Sequence, residues 1–486
     1  MELRTPFCCD HVLESSPGLW RAFHLHGQTM EVGLLQHAAV ILSCQISPAP
    51  GNPSCQGDFN TPQELRLRHT DPDYSCAYVI ITTNDADNEL TGHGLTFTIG
   101  RGTEIVVAAV KALAPFVTGK ALSDIYDNFA NFYRMLTSEP QLRWVGPEKG
   151  VIHLATAAIL NALWDLWAKR EGKPVWKLLA DMEPEQIVNC IDFRYITDAL
   201  TKEEALEILR SNQATKRERE QTLLKDGYPA YTTSTAWLGY SDEVLLQRCR
   251  KALSEGWTKF KMKVGSDLAD DIHRAELLRN EIGYDKILMM DANQKWGVDE
   301  TIEWMGKLAM FKPLWIEEPT SPDDILGHAK IVQAMKPLGI GVATGEHCQN
   351  RVMFKQFLQA GALQYCQIDS CRVGSINELL SIILMAKKFG VPVCPHAGGV
   401  SLCELVQHVI MFDYLCVSAT LENRVLEYVD HLHEHAKYPI VMKDTCYTPP
   451  KEPGYSTELK EQTLADYAYP AGRVWQDLAR EGKVTL

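Results

Sequence analysis

The spacing of hydrophobic and polar residues changes character near residue 228. Before that point, two strand-like segments at 76–84 and 94–100 are separated by a polar turn. The segments that follow have apolar residues at every third or fourth position, which is typical of amphipathic helices, and lie at 103–117, 121–138 and 150–173. A hairpin followed by three helices predicts an α+β domain, and a charged helical connection ends it at residue 227.

After residue 228, short apolar strands alternate with amphipathic helical segments. The predicted strands lie at 231–239, 259–265, 287–294, 313–319, 340–346, 365–371, 391–398 and 418–424. Eight strands with intervening helices over about 200 residues predict a (β/α)₈ barrel at 228–430. An open doubly wound sheet is the alternative. The glycines near residues 339–345 do not have the G-x-G-x-x-G spacing of a dinucleotide site, however.

Residues 1–68 follow neither pattern. They contain a linker-like stretch rich in Pro and Gly at 47–57 and one apolar segment at 34–44, which is compatible with a strand or a helix turn. The predicted organisation has four parts: an atypical segment at 1–68, the α+β domain with its connection at 69–227, the barrel at 228–430, and a C-terminal segment at 431–486.

Composition and charge exclude several classes of function. A hydrophobic fraction of 45% and a charged fraction of 23% are those of a globular protein rather than a disordered one. The net charge of −14, without a basic block, argues against nucleic acid and anionic membranes as partners. No clean apolar run reaches the roughly 18 residues that a membrane span requires. We therefore expect a soluble protein.

The cysteines and the N-terminus indicate the compartment. None of the 14 cysteines forms a C-x-x-C pair, so we expect reduced thiols in a reducing compartment, with neither a disulfide framework nor a zinc ribbon. The first residues show neither a secretory nor an organellar targeting signal. Without further information, these features favour the cytoplasm.

Six successive barrel strands each carry a charged or ionisable residue at the C-terminal end. These residues are Lys263, Asp291, Glu317, Glu346, Asp369 and His396. The gaps between them are 28, 26, 29, 23 and 27 residues, which is about one strand and one helix each. Because the C-terminal strand ends of a barrel meet at one mouth, this spacing predicts a single site.

Three carboxylates, Asp291, Glu317 and Glu346, come from consecutive strands. Brought together, they would repel each other and raise each other's pKa unless a cation lay between them. Oxygen ligands with open positions favour Mg²⁺. Salt bridges at the barrel rim are the alternative interpretation.

Lys261 and Lys263 lie two residues apart, so both side chains face the same side of one strand. Their mutual repulsion is expected to lower the pKa of one of them and make it a usable base. Extension of both into solvent is the alternative. Asp369 and His396 are expected to form a hydrogen-bonded pair in which the carboxylate orients the imidazole. The histidines of HLHEH at 431–435 have metal-like spacing but are expected on a solvated face.

The order of these residues resembles a known family. KMK on the second barrel strand, DAN on the third, EEP on the fourth and GE on the fifth, with an Asp and a His on the next two, resemble the mandelate-racemase-like branch of the enolase superfamily. Longer segments are similar to those of L-fuconate dehydratases: HTDPDYS, IDFRYITD, YPAYTTS, IEEPTSPDDILGH and CPHAGGVSLCELVQH. The resemblance covers the chain from about residue 69 and implies a TIM-like (β/α)₈ barrel. The α+β domain would cap its mouth, and the C-terminal segment would return to that cap.

The resemblance also implies a role for individual residues. It makes Asp291, Glu317 and Glu346 the ligands of one Mg²⁺ ion, with Asn293 beside them, and Lys263 the base that removes the proton next to the substrate carboxylate. His396, oriented by Asp369, would be the acid. The implied substrate contacts are Tyr74, Lys261, Ala397, Gly398 and Glu427.

The activity implied by the resemblance is dehydration of a sugar acid, with L-fuconate as the expected substrate and a 2-keto-3-deoxy acid as the product. Two alternatives stay open: an epimerase or racemase of acid sugars, and a family member without catalysis that acts in binding or regulation. The expected partner is a small sugar acid, assembly into homo-oligomers is left open, and the resemblance implies a mitochondrial location.

Residues 1–68 depart from the family pattern, which begins with a strand and a flexible loop that closes over the substrate. Without that strand, the segment 76–84 would have an unpaired edge. The apolar segment at 34–44 is the candidate to replace it, although nothing in that segment resembles the closing loop. Without the loop, the barrel mouth would stay open to water. We therefore expect a chain that binds Mg²⁺ but converts L-fuconate poorly.

Overall fold

The N-terminal sheet is built around one long strand that has partners on both edges. The structure, a computed structural model, describes residues 35–38, 42–45, 74–83, 90–146 and 148–482. The first four strands are β1 (Leu35–Ala38), β2 (Leu42–Gln45), β3 (Ser75–Thr83) and β4 (Thr91–Thr98). Strand β3 pairs antiparallel with β4 along one edge and with β1 and β2 along the other. The apolar segment at 34–44 therefore replaces the family's first strand with two short ones, and the expected unpaired edge is wrong. The closing loop expected before residue 69 lies outside the described residues, so the poor conversion of L-fuconate stays a prediction.

Helices follow the sheet in this domain and continue into the connection, and the first and the fifth of them pack on the strands. They are α1 (Thr103–Leu113), α2 (Leu122–Tyr126), α3 (Phe129–Thr137), α4 (Leu142–Val145), α5 (Gly150–Arg170), α6 (Val175–Asp181), α7 (Pro184–Val188), α8 (Lys202–Ser211) and α9 (Lys216–Asp226). The segment at 121–138, predicted as one helix, is two helices. The Asn128 side chain accepts the backbone N–H of Asn131 and so caps the start of α3.

Helix α5 packs directly on β4 because two glycines leave no side chain between them. A Cβ atom on Gly92 or on Gly94 would lie 2.2 Å from backbone atoms of Ala162. Among the described helices, α5 alone is long and apolar enough to cross a membrane, but 78% of its apolar stretch is buried inside the protein. Its composition therefore reflects its place in the core of the N-terminal domain.

The second half of the chain is a closed parallel barrel. Its strands are β5 (Tyr228–Ala236), β6 (Lys259–Lys263), β7 (Ile287–Asp291), β8 (Trp315–Glu317), β9 (Gly341–Thr344), β10 (Tyr365–Cys366) and β11 (Leu426–Tyr428). Strands β5 to β10 pair in sequence order, and β11 pairs with β5. The seventh position is occupied by a short extended segment, in which Val393 bridges to Cys366 and Pro395 accepts the N–H of Glu427.

The eighth strand lies later in the chain than predicted. The segment at 418–424 is not a strand, because Asp413–Ser418 forms a π-helical turn after the preceding helix and Ala419 adopts a left-handed conformation with φ of 57°. The strand begins at Leu426 instead, where the chain has turned back towards β5.

The barrel helices surround the strands. They are α10 (Asp242–Ser254), α11 (Leu268–Ile282), α12 (Val298–Leu308), α13 (Ile325–Met335), α14 (Arg351–Gln359), α15 (Ser375–Lys388) and α16 (Leu402–Phe412). The C-terminal elements are β12 (Met442–Lys443), β13 (Cys446–Tyr447), α17 (Glu461–Tyr467), β14 (Ala468–Tyr469) and α18 (Arg473–Arg480). Strand β14 pairs with β2 of the N-terminal sheet. The predicted fold class, a (β/α)₈ barrel with an α+β capping domain, is confirmed.

Candidate active site

A cavity of about 430 Å³ lies between the C-terminal ends of the barrel strands and the capping domain. The barrel contributes polar side chains to its wall: Lys263, Asn293, Glu346, Asp369, Arg372, His396 and Glu427. The cap contributes a mostly apolar wall: Tyr74, Phe97, Ile99, Val106, Val151 and Leu154. Four of the six charged strand-end residues therefore line one cavity. Asp291 and Glu317 are fully buried and do not line it.

Lys261 is held by three carboxylates in the barrel interior. Its Nζ atom lies 2.7 Å from Glu317 Oε1, 3.3 Å from Asp291 Oδ2 and 2.6 Å from Glu427 Oε1. Burial alone would lower the pKa of Lys261, but the carboxylates of Glu317 and Glu427 outweigh burial and raise it well above its ordinary value. Lys261 is therefore a fixed positive charge, and the alternative in which it extends into solvent is wrong.

Lys263 follows two residues later on β6 and reaches the cavity, where its ammonium group contacts Asp291. The repulsion from Lys261 was expected to lower its pKa. Burial and Lys261 do act in that direction, but Asp291, together with Glu317 and Glu346, raises the pKa of Lys263 above its ordinary value. The expectation of a lowered pKa is wrong for this arrangement, because the nearest charges are carboxylates rather than the second lysine.

The carboxylates differ in how strongly they hold a proton. Burial and the neighbouring Asp291 raise the pKa of Glu317 to about 8. Burial would also raise the pKa of Glu346, but His396 and His347 lower it well below its ordinary value. The backbone N–H of Asn293 donates a hydrogen bond to Asp291 Oδ1 at 2.9 Å and so fixes the second oxygen of that carboxylate. Asn293 has φ of 45°, which turns the chain sharply after β7.

A second group of potential ligands lies beside these carboxylates. Ligand atoms of Glu318, Glu346 and His347 lie within 4.8 Å of one another. Glu318 Oε1 accepts hydrogen bonds from His347 Nδ1 at 2.8 Å and from Gln294 Nε2 at 2.9 Å. Only Glu346 belongs both to this group and to the predicted ligand set. Glu318, His347 and Gln294 were missed, although each lies one to three residues from a predicted ligand in the EEP, GEH and DANQ segments.

The donor set fits a divalent cation. The site contains six buried carboxylates, on Asp291, Glu317, Glu318, Glu346, Asp369 and Glu427. Four basic groups contact them, on Lys261, Lys263, His347 and His396, and Arg101 and Arg372 line the same cavity. One buried oxygen, Glu318 Oε2, has no hydrogen-bond partner. Buried carboxylate oxygens are the hard donors that Mg²⁺ prefers, and one that lacks a hydrogen-bond partner is suited to a cation.

His396 and Asp369 form the expected pair. His396 Nδ1 lies 2.7 Å from Asp369 Oδ2, and His396 Nε2 lies 3.6 Å from Glu346 Oε2. Burial would lower the pKa of His396, but Glu346, Asp369 and Glu427 raise it to about 10. These carboxylates favour the charged imidazolium. The ring faces the cavity, where its Nε2 atom lies 3.2 Å from the backbone nitrogen of Gly398.

The residues that the resemblance implies as substrate contacts are not equally accessible from the cavity. Tyr74, Gly398 and Glu427 line the cavity, whereas Lys261 lies in the ion cluster described above and is 1% exposed. The N–H of Ala397 is donated to Glu427 Oε2 at 2.8 Å, and Ala397 does not line the cavity. Its backbone therefore holds Glu427 in place.

The histidines of the HLHEH segment are not on a solvated face. The His431 ring contacts the rings of Tyr74 and Trp237 at centroid distances of 5.6 and 5.7 Å. His433 Nδ1 lies 2.7 Å from Glu404 Oε1, and His435 is buried. The expectation of a solvated face is wrong, because the C-terminal segment folds back over the barrel.

Comparison with known proteins shows the same two-part architecture. Residues 68–180 match the family described as the mandelate racemase / muconate lactonizing enzyme N-terminal domain, and residues 244–463 match the enolase C-terminal domain-like family. The chain is 67% identical to human mitochondrial enolase superfamily member 1 over 410 residues, which is 84% of this chain and 92% of the relative. It is 53% identical to L-galactonate dehydratase of Hypocrea jecorina over 401 residues, which is 82% and 88% of the two chains.

Solved structures agree with these similarities. The crystal structure of human mitochondrial enolase superfamily member 1 superposes with a TM-score of 0.87 at 62% identity, covering 92% of this chain and 99% of that one. A racemase from Streptomyces coelicolor with bound magnesium superposes with a TM-score of 0.67 at 25% identity, covering 90% of this chain and 100% of the other.

Proposed function

Because this chain belongs to the enolase superfamily, in its mandelate racemase/muconate lactonizing enzyme group, we propose that it is a Mg²⁺-dependent sugar-acid dehydratase with L-fuconate as substrate. One observation carries the proposal: the amino group of Lys263 and the imidazole of His396 face the same cavity above a carboxylate-rich floor. This arrangement provides a base, an acid and a metal-binding donor set in one place.

The ligands proposed for the metal are Asp291, Glu317 and Glu346. His347 contacts Glu346 Oε1 at 3.4 Å and is itself held by Glu318. When bound, Mg²⁺ supplies positive charge that stabilises a doubly charged carboxylate intermediate and neutralises the carboxylates that raise the pKa of Lys263. Lys261 is a second positive charge below the cavity, where its buried ammonium group is held next to the same acidic side chains.

The reaction requires two proton transfers. Lys263, as the free amine, takes the proton from the carbon next to the substrate carboxylate, and the electron pair moves into that carboxylate to form an ene-diolate. The bond from the neighbouring carbon to the 3-hydroxyl then breaks, and His396 Nε2–H protonates the departing hydroxide to give water. The resulting enol becomes the 2-keto-3-deoxy acid.

The cap wall supports a substrate with an apolar end. L-Fuconate is the 6-deoxy form of L-galactonate, so the two differ in a methyl group against a hydroxymethyl group. The apolar side chains of Phe97, Ile99, Val106 and Leu154 face the cavity and match a methyl group better. We expect about a tenfold preference in kcat/KM for L-fuconate, because an apolar pocket rejects an added hydroxyl only moderately.

Epimerisation of an acid sugar is the second candidate, because a lysine and a histidine in one cavity also suit proton removal and return on opposite faces of one carbon. The experiment is to incubate the purified protein and Mg²⁺ with a library of sugar acids and to follow products by NMR. A 2-keto-3-deoxy product supports dehydration, and an epimer without keto product supports the second candidate. No turnover of any sugar acid would reject both and leave a binding or regulatory role.

We also propose a mitochondrial location, and only the names of the relatives support it. Vertebrate relatives at 67% identity are named mitochondrial, and we extend that location to this protein. Fractionation of cells that express the chain with a C-terminal tag tests it, and recovery in the cytosolic fraction would contradict it.

A further inference from the structure

The loop that carries Asp369 is hydrogen-bonded to the capping domain as well as to the barrel. Asn161 lies in the middle of α5 and is fully buried. Its Nδ2 atom donates to the carbonyl of Leu95 at 2.9 Å and is 3.4 Å from that of Ser370, and its Oδ1 atom accepts the Ser375 hydroxyl at 2.6 Å. One amide therefore connects β4 and α5 of the cap to both ends of the loop at residues 370–375.

A second connection runs from the cap strand itself. The Thr96 hydroxyl donates to the carbonyl of Cys371 at 3.0 Å, and the Cys371 thiol lies 3.6 Å from the carbonyl of Leu95. Thr96, Cys371 and Leu95 are buried, so water does not compete for these bonds. The next residues along the chain, 97–99, line the cavity.

The backbone of this loop sets the position of the Asp369 carboxylate. Asp369 Oδ1 accepts the N–H groups of Cys371 at 2.7 Å and Arg372 at 2.8 Å, while Asp369 Oδ2 contacts His396. A continuous series of contacts therefore leads from the cap to the imidazole. It runs from Thr96 and Asn161 to the loop backbone, then to Asp369, and then to His396.

Lys263 is held from a different part of the barrel. The Arg274 guanidinium of α11 donates to the carbonyls of Lys263 at 2.9 Å and of Ala236 at 3.0 Å. Within the described residues, neither Arg274 nor Lys263 hydrogen-bonds to the loop at 370–375. The acid and the base are thus positioned by separate sets of hydrogen bonds.

We propose that Thr96 and Asn161 of the capping domain are positioning residues for the proton donor His396, and that they act through the Asp369 loop. The proposal rests on the dehydratase function proposed above. A misplacement of about 1 Å at a reacting group costs as much as about 100-fold in rate. Loss of the Thr96 hydroxyl should therefore slow departure of the 3-hydroxyl while leaving removal of the α-proton by Lys263 intact.

The experiment measures how the ene-diolate intermediate divides between return to the substrate and loss of the 3-hydroxyl. The full chain with Mg²⁺ is incubated with L-fuconate in D₂O. NMR then gives the ratio of α-deuterated substrate that has been returned to 2-keto product that has been formed. This ratio does not depend on the amount of active protein, so a loss of folded enzyme does not change it. Thr96→Val, which keeps the shape and removes the donor, should raise the ratio at least about fivefold, and Thr96→Ser should restore it to within about twofold of the wild-type ratio.

The control is Thr156→Val, which removes a buried hydroxyl of α5 that donates only to the carbonyl of Ile152 within the same helix. Its ratio should equal that of the wild type. Ser375→Ala, which removes the donor to Asn161 Oδ1, should raise the ratio and decides the question if Thr96→Val fails to fold. An unchanged ratio in Thr96→Val overturns the proposal. If Thr96→Val does not fold, an unchanged ratio in Ser375→Ala overturns it. Loss of exchange and dehydration to the same extent also overturns it. Absence of both reactions in the wild type overturns the proposed function instead.

Discussion

The Nζ atom of Lys261 lies 2.7 Å from Glu317 Oε1, and neither side chain reaches solvent. The same ammonium group also contacts Asp291 and Glu427. A residue that the sequence suggests for substrate binding thus neutralises a residue suggested for metal binding. Lys261 is the shared partner of three buried carboxylates, and the first prediction tests how far they depend on it.

Replacement of Lys261 by methionine should make the protein depend on Mg²⁺ for stability. Three buried carboxylates would lose their shared partner, and breaking a buried ion pair costs about 3–5 kcal/mol. A bound cation would compensate for part of that loss. In thermal unfolding with EDTA and with Mg²⁺, the melting temperature of Lys261→Met should rise more on addition of Mg²⁺ than that of the wild type. Lys330→Met, at an exposed ion pair with Asp299, is the control. Equal Mg²⁺ shifts in all three proteins would contradict the prediction.

Glu317→Gln should weaken Mg²⁺ binding at least about tenfold and abolish dehydration without unfolding the barrel. The amide removes one anionic ligand, while Lys261 keeps two carboxylate partners, so the fold is retained. Titration calorimetry with Mg²⁺ and circular dichroism give the two readouts. Glu303→Gln, an exposed position on α12, is the matched control. Unchanged Mg²⁺ affinity in Glu317→Gln would reject Glu317 as a ligand.

Lys263 and His396 should separate the two proton transfers. His396→Asn should lose dehydration of L-fuconate and retain exchange of the α-proton with D₂O, because the base is unchanged. Lys263→Ala should lose both reactions, because no other described lysine lines the cavity. Proton NMR of substrate recovered from D₂O measures exchange. Survival of exchange in the lysine variant would mean that another group is the base.

His408 should make the protein less stable in mild acid. Its Nδ1 atom accepts the N–H of Trp176 at 3.2 Å, and Nε2 lies 2.9 Å from the Ser456 hydroxyl. Burial lowers the pKa of His408 to about 3, whereas an unfolded histidine titrates near about 6.5. Between these values the unfolded chain binds a proton that the folded one does not. The free energy of unfolding therefore falls as the pH is lowered from about 6.5 towards 3, by about 1.4 kcal/mol per pH unit for this group.

His408→Asn should reduce that pH dependence, since asparagine keeps an acceptor for Trp176 and does not titrate. Urea denaturation at pH 7 and pH 5 measures the difference. His273→Gln serves as the control, because His273 is exposed and its ion pair with Asp242 raises its pKa instead. A pH dependence in His408→Asn equal to that of the wild type would show that another group takes up the proton.

Local patterns were sufficient for the barrel and for the positions of its charged residues. The alternation of KFKMK places Lys261 and Lys263 on one face of β6, and the regular spacing of strand ends places Lys263, Glu346, Asp369 and His396 around one cavity. The predicted position of the eighth barrel strand was wrong, because the local hydrophobic pattern there is weak. The eighth strand is only three residues long and follows a π-helical turn, so the apolar run before it resembled the strand itself.

Periodicities of two and of about 3.6 residues along the chain were enough to predict the fold class, the repeat of strand and helix, and the charged residues at the barrel mouth. The partners of those residues depend on the folded arrangement. The pKa of Lys263 is raised by Asp291 from the next strand, the edge of β3 is covered by β1 and β2, and Asn161 reaches a loop more than 200 residues away. Charge interactions and hydrogen bonds depend on distance in space, and residues far apart in sequence become neighbours only when the cap has packed on the barrel.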